Sequence, residues 1–264
     1  MLKIKVINGS GNEMYIGQAA EKVSCIFNFE YEDGDWIIID SDKKNSFYKI
    51  KLEDTMEESI VYVPGNFFTY FIPLKNKRSN YSPKSFYGNC HIISVEDATE
   101  EDLKKRRNLA LNPYDQHENN TFFPHSSANI ETRGECTFAS RNAIDGYFYN
   151  DSHGSFPYQS WGINRDPKAE FKIDFGREVQ VDEVVLTLRA DFPHDNYWKN
   201  VTLEFSDGSI VKSDLVQTDK RQSIKFEPKV VTSIVLKNLI KAEGVSEFPA
   251  LTQFEAWGNE KNKG

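Results

Sequence analysis

Between Arg189 and Trp198 the chain reads Arg-Ala-Asp-Phe-Pro-His-Asp-Asn-Tyr-Trp, which places a guanidinium, two carboxylates, an imidazole and three aromatic rings in one short stretch. A loop that only had to turn the chain would use Gly, Asn and Ser. Pro193 has no backbone donor and restricts Phe192 before it, so a regular paired strand is not expected here. A rigid, ring-bearing, charged loop on a strand scaffold is the usual form of a binding site, and a sugar is one ligand such groups would suit. A sugar presents an apolar C–H face, which an indole covers, and a rim of hydroxyls, which Asp and Arg grip with paired hydrogen bonds. The residues expected to bind are Arg189, Asp191, His194, Asp195 and Trp198, with Trp161 and His125 from neighbouring loops, and Arg165 and His153 as weaker candidates.

Each residue also has a plainer reading. Trp161 and Trp198 are as well suited to the core as to a ligand platform. An ion pair of Arg189 with Asp191 or Asp195 would simply brace the loop. A lone His is more often a hydrogen-bonded structural group than a ligand. His125, His194, Asp191 and Asp195 would also serve as acid–base partners or metal ligands if the loops brought them together. The sequence has no nucleophile elbow, HExxH, phosphate loop or glycine-rich dinucleotide turn. An enzyme, a hydrolase or lyase using these His and Asp residues, is therefore the alternative, and a protein–protein interaction module is a third reading.

Elements of β type flank this stretch. An apolar run at 184–188 precedes it and another at 201–205 follows. The cleanest alternation in the chain, Ala169, Phe171, Ile173 and Phe175 against Glu170, Lys172 and Asp174, has the period of two expected of a half-buried strand. Further strands are expected at 223–226, 232–236 and 251–258. The first half reads similarly, with Leu2, Ile4 and Val6 alternating with Lys3 and Lys5. Val23, Cys25, Phe27, Phe29 and Tyr31 fall on one face of a second strand, and Asp33-Gly34 turns into a third at 36–39. Strands at 46–52, 59–63, 67–72 and 91–95 follow. Residues 96–107 differ: Asp97 or Thr99 can cap a short helix with Glu100, Glu101 and Asp102 in its first turn and Lys104 to Arg107 in its last. That helix is polar on nearly all sides, as a connector between domains would be.

The fold class expected is all-β, with two β-sandwich domains joined by a short helical connector. Residues 1–95 form the first domain, 96–107 the connector, 108–258 the second domain and 259–264 a frayed tail. Composition agrees: 39% hydrophobic and 27% charged residues belong to a globular chain, and 13% aromatic residues suit β-structure and ring-lined sites. A net charge of -8 without a basic run disfavours nucleic acid and anionic membranes as partners. No segment has the length of a membrane span, and the N-terminus lacks a signal-peptide core, so a cytoplasmic location is expected. Cys25, Cys90 and Cys136 follow no zinc-ligand or CxxC spacing and read as free thiols.

The second half resembles the discoidin domain, the coagulation factor V/VIII (F5/8) type C superfamily with its galactose-binding-like jelly roll, and its carbohydrate-binding-module branch above all. The resemblance rests on landmarks in order: Asn108-Leu109-Ala110-Leu111-Asn112, then Asn142-Ala143-Ile144-Asp145-Gly146 before a Trp-bearing loop. Ala169-Glu170-Phe171-Lys172-Ile173-Asp174-Phe175-Gly176 and the closing Trp257-Gly258 complete the set. It implies two antiparallel sheets with ligand loops at one end, and a carbohydrate as partner. It also implies a structural calcium at the Ile-Asp-Gly turn, with Asp145 as carboxylate ligand. Gln159 and Gln253 stand where the family places a Thr and a Glu, which weakens that ligand set. The first half resembles no family, and its expected roles are support of the second domain, completion of the site or self-association.

Overall fold

The computed structural model describes residues 1–244 and 246–261. The first half holds β1 (Leu2–Ile7), β2 (Glu13–Ala19), β3 (Lys22–Phe27), β4 (Trp36–Ser41), β5 (Ser46–Lys51), β6 (Ser59–Val63), β7 (Phe67–Phe71) and β8 (His91–Asp97). They form two four-stranded antiparallel sheets, in the orders β2-β1-β4-β7 and β3-β8-β5-β6. The alternating residues of both sheets meet in one core, with Leu2, Ile4, Val6, Ile37 and Ile39 facing Val23, Ile50, Val61, Ile93 and Val95. Period-two patterning thus becomes a sandwich, because each sheet has one apolar face to bury.

Two details depart from the expected strands. β3 ends at Phe27, so Phe29 is exposed while Tyr31 returns to the core. β2 has no counterpart in the expected set: it pairs with β1 alone, and none of its residues is buried, so it carries no apolar alternation to read.

A short helix, α1 (Glu100–Lys104), follows. Thr99 is its cap, in a capping box with Asp102 in which each side chain bonds the other residue's backbone N–H. The chain then forms β9 (Arg107–Asn108), β10 (His125–Ala128), β11 (Trp161–Gly162), β12 (Phe171–Leu188), β13 (Trp198–Phe205), β14 (Ile210–Asp214), β15 (Gln222–Lys241) and β16 (Ala250–Glu260). Residues 259 and 260, expected in a frayed tail, end β16; residues 262–264 of that tail lie outside the described residues.

These strands make one eight-stranded sheet that folds over its own core. The first part of β12 pairs with β10 and with residues 233–236 of β15, while its second part pairs with β16 and with residues 222–231. The shift of register between Asp174 and Val179 is where β12 leaves one layer for the other. Gly176 sits in that shift at φ 66, and a Cβ there would overlap the ring of Phe123, so the bend needs glycine. Phe171, Ile173, Phe175, Val184, Leu186, Trp161, Trp198 and Phe254 fill the space between the layers.

Residues 109–124 tie the halves together. Tyr114 and Phe122 are buried in the core of the first sandwich, Tyr114 edge-on to Tyr70 with ring centroids 5.9 Å apart. Phe123 exchanges both backbone hydrogen bonds with Tyr62 of β6, each 2.8 Å.

Candidate functional site

The loop after β12 is built around a buried ion pair. Arg189 Nε lies 2.9 Å from both Asp195 oxygens, and its Nη2 lies 2.5 Å from Oδ1. The side chains of Arg189 and Asp195 are 5% and 0% exposed. A fork of this kind fixes both planes and neutralises both charges. Asp195 Oδ2 also accepts the backbone N–H of Asp191 at 2.8 Å, which closes the loop on itself. Asn150 donates to Leu188 O at 2.7 Å, and Asn196 donates to Ala242 O and Ser246 O at 3.1 and 2.9 Å. The loops after β12, before β16 and around residue 150 are therefore held as one unit.

On this base stands a row of parallel rings. His153 stacks on His194 at 4.1 Å between centroids and 3° between planes, and His194 faces Phe248 at 5.4 Å and 6°. His194 Nδ1 lies 3.1 Å from Asp195 Oδ1, and His153 Nδ1 lies 2.6 Å from Asp191 Oδ2. The Arg165 guanidinium lies over the Phe248 ring at 5.9 Å. It is exposed, and among the described residues no carboxylate lies within ion-pair distance of it. Asn164 and Arg165 both take left-handed backbone, φ 48 and 61, a conformation that costs non-glycine residues on the order of 1–3 kcal/mol each. Asn164 N donates to Thr132 Oγ1 at 3.0 Å, which holds this turn against the loop of residues 132–134.

His153, Asn164, Arg165, Arg189, His194 and Phe248 line a cleft of about 300 Å³, with Thr132, Phe138, Gly162 and Pro249 completing the wall. Ligand pockets begin at about this volume, and a few converging polar groups beside exposed rings are their usual content. Wider recesses lie where the two halves meet, of about 870 and 650 Å³. Their polar groups are largely engaged: Arg177 pairs with Glu260, and Gln116 bonds the Phe71 backbone at both ends of its amide. The cleft at Arg165 is smaller but has free donors. His153, Asp191 and His194 also offer ligand atoms all within 4.8 Å of one another.

Of the residues expected from the sequence, Arg189 and His194 line this cleft, and the weaker candidates His153 and Arg165 join them; Asp191 lies beside it, bonded to His153. Arg189 forms part of its floor, held there by its ion pair with the buried Asp195. Trp161 and Trp198 do not reach it. Both are 0% exposed in the core, so no ligand can stack on either, and Trp161 Nε1 donates to Ile130 O at 3.0 Å. His125 is elsewhere: its Nδ1 lies 2.7 Å from Asp115 Oδ1, and Asp115 Oδ2 also takes Ser126 N and Oγ. Burial alone would lower the His125 pKa, but the hydrogen bond and charge of Asp115 outweigh it and the pKa is raised.

The stacking ring supplied by the structure is Phe248, which sequence reasoning missed. Its sequence signal is a large apolar residue among Ser246, Glu247 and Pro249, in a polar loop directly before a strand.

Asp145 is fully buried at the Ile-Asp-Gly turn. Its Oδ2 accepts from Gln159 Nε2 at 2.8 Å, and its Oδ1 accepts from Gln253 Nε2 at 2.7 Å and Tyr147 N at 2.9 Å. Gln253 cannot turn its oxygen inward, because that oxygen takes Gly146 N at 3.0 Å. Arg141 adds a guanidinium 4.0 Å from Oδ2. Calcium needs oxygen ligands, and here N–H donors and a cation face the carboxylate. The residues present do not fit a calcium ion.

No family model matches this chain, and no curated protein matches it. Solved structures do match its fold. Among them are carbohydrate-binding modules. Chitosan-binding module 1 of a chitosanase/glucanase from Paenibacillus sp. IK-5 is 17% identical, over 58% of this chain and 99% of its own, with a TM-score of 0.39. The Streptococcus pneumoniae fucose-binding module SpX-3 is 15% identical, over 58% and 99%, with a TM-score of 0.41. The family 32 module of NanJ from C. perfringens, solved with galactose, is 15% identical, over 50% and 91%, with a TM-score of 0.36. At these values the likeness assigns no ligand to this chain and no role to any of its residues.

Proposed function

We propose that the cleft between Arg165, His194 and Phe248 binds a carbohydrate without turning it over. One observation carries this reading: an exposed ring row and Arg165, which has no ion-pair partner among the described residues, share a cleft whose base is a rigid, charge-neutral Arg189–Asp195 pair. Phe248 and the imidazoles supply apolar surface for the C–H face of a sugar. Arg165 and His153, the latter bonded to Asp191, supply donors and acceptors for its hydroxyls. Charge-assisted hydrogen bonds contribute about 1.5–3 kcal/mol each, so a few of them with one ring give a weak to moderate binder. The cleft draws on residues 132–250 alone, which supports the reading of residues 108–258 as the binding domain.

The test is a thermal-shift screen of neutral monosaccharides and short oligosaccharides in EDTA, followed by calorimetric titration of any that respond. A ligand that binds only the folded protein raises its melting temperature through linkage. Phe248→Ala and Arg165→Ala should each abolish the response without lowering the melting temperature in the absence of sugar. A sugar response that survives both substitutions would place binding elsewhere. A chromogenic glycoside panel tests the enzyme reading, since release of product that Asp191→Asn abolishes would replace binding by catalysis.

A further inference from the structure

We propose that His153, Asp191 and His194 form a binding site for one divalent transition-metal ion of the zinc class. Their ligand atoms already lie within 4.8 Å of one another. Around a tetrahedral ion with bonds of about 2.0–2.2 Å, ligand atoms are about 3.3–3.6 Å apart, so the widest spacing must close by little more than 1 Å while His153 Nδ1 and Asp191 Oδ2, now 2.6 Å apart, must open. The side chains that must move are partly exposed: His153, His194 and Asp191 are 40%, 44% and 30% accessible.

The support beneath His194 is the second argument. Its Nδ1 faces Asp195 Oδ1 at 3.1 Å, and Asp195 is buried and held by Arg189. This carboxylate keeps the imidazole proton on Nδ1 and leaves the Nε2 lone pair free. A buried carboxylate behind a histidine is the usual outer support of a metal-ligating imidazole, fixing its tautomer and raising its basicity. Arg189, the nearest guanidinium below, is neutralised by the same carboxylate and does not repel a cation at the rings.

The stack of His153 on His194 is the metal-free arrangement. Planes only 3° apart cannot both contain one ion, because an imidazole binds a metal in its ring plane. His153 therefore turns out of the stack, gives up its bond to Asp191, and coordinates through Nδ1 with its proton moved to Nε2. It is placed to do so, since His153 is itself exposed and the next residue is Gly154 at φ 110. Two imidazoles and one carboxylate suit zinc, cobalt, nickel or copper and not calcium or magnesium. Three protein ligands leave at least one position of the ion open toward the cleft.

The metal site shares His153 and His194 with the sugar reading but rests on separate observations, and it is tested without sugar. The EDTA-stripped protein is titrated with Zn²⁺ in competition with a chromophoric chelator, and with Co²⁺ followed by its visible absorption. One equivalent of either ion should bind. His153→Ala and His194→Ala should each weaken binding at least tenfold, and Asp191→Asn should do the same. His117→Ala, which removes an exposed histidine bonded to Glu131 outside this cluster, should leave it unchanged. Melting temperatures in EDTA establish that the variants fold. Absence of stoichiometric binding overturns the proposal. So does binding that survives both cluster histidine substitutions, or a thiolate-to-cobalt charge-transfer band, which would move the ion to Cys90 or Cys136. If Zn²⁺ binds and no sugar does, the carbohydrate reading fails alone; the reverse result removes only the metal.

Discussion

Arg189 and Asp195 form a bidentate ion pair sealed from solvent, while His194, next to Asp195 in sequence, turns its ring out to the cleft. The buried pair sets the geometry and the exposed ring meets the ligand. Removing one member leaves a bare charge in the interior, a loss of about 3–5 kcal/mol where such pairs have been broken. Arg189→Ala and Asp195→Ala should each cost that much in urea denaturation. Arg189→Met with Asp195→Leu should recover part of the loss, because no uncompensated charge is left. Equal losses from the single and double variants would show that the ion pair is not what holds the loop.

Exposure separates the four tryptophans into two pairs. Trp161 and Trp198 lie at 0% exposure, whereas Trp36 is open to solvent and Trp257 is half-buried. Acrylamide should quench part of the fluorescence and leave the core pair protected. Truncation of a buried tryptophan to alanine costs about 3–5 kcal/mol, and Trp198→Ala should do so whether or not a ligand is present. Trp161→Phe should cost more than Trp198→Phe. The first leaves Ile130 O without its donor, while Trp198 Nε1 has no partner to lose. Quenching of all the fluorescence by acrylamide would contradict the packing.

The contrast between these residues and His194 shows how far the sequence could be read. Period-two alternation found most strands, because a sheet with one buried face must alternate. It missed β2, an edge strand with no buried face, and it read the two parts of β12 as separate strands because Gly176 and the polar residues of the bend interrupt the pattern. The fused loop before Trp198 was recognisable from its density of functional groups. Which of those groups face solvent was not. A tryptophan flanked by polar residues reads the same whether it points into a sandwich or out of it, and the choice is made by which strand pairs beside it. Phe248 lies more than fifty residues from His194, and only the fold brings them into contact.

Calcium should have no effect on stability. The Asp145 carboxylate is saturated by Gln159, Gln253 and Tyr147 donors, and Arg141 supplies the positive charge. The melting temperature in millimolar CaCl₂ should equal that in EGTA, provided zinc-class ions are absent from both. A calcium-dependent rise that Asp145→Asn removes would restore the ion to this turn.

Titration at His125 offers a test at the other end of the pH range. Its folded pKa is raised above the ordinary 6.5 by Asp115. A histidine raised on folding stabilises fully below its unfolded pKa, and that contribution is lost as pH rises through the folded value. The stability difference between the wild type and His125→Ala should therefore shrink as pH rises from about 6.5 upward, the unfolded value being the reference. Urea midpoints at several pH values measure it. A difference that grows with pH over this range would mean that the histidine is held neutral instead.

Asp145 shows the opposite kind of coupling. Burial pushes its pKa up to about 6 from an ordinary 3.8, against the pull of Arg141 and its hydrogen-bond donors. The folded chain thus holds a proton that the unfolded chain has released, so stability falls as pH rises between these two values and is level above the upper one. A rise of this size corresponds to on the order of 3 kcal/mol. Asp145→Asn removes the titration. Gln159, whose Oε1 has no partner, can turn over to accept from the new amide, while Gln253 keeps its bond to Gly146. Whatever the variant's offset from losing the counter-charge of Arg141, its stability relative to the wild type should improve by that amount between pH 4 and pH 7. Parallel pH profiles for the two proteins would show that Asp145 titrates normally and that its carboxylate is not sealed in the turn.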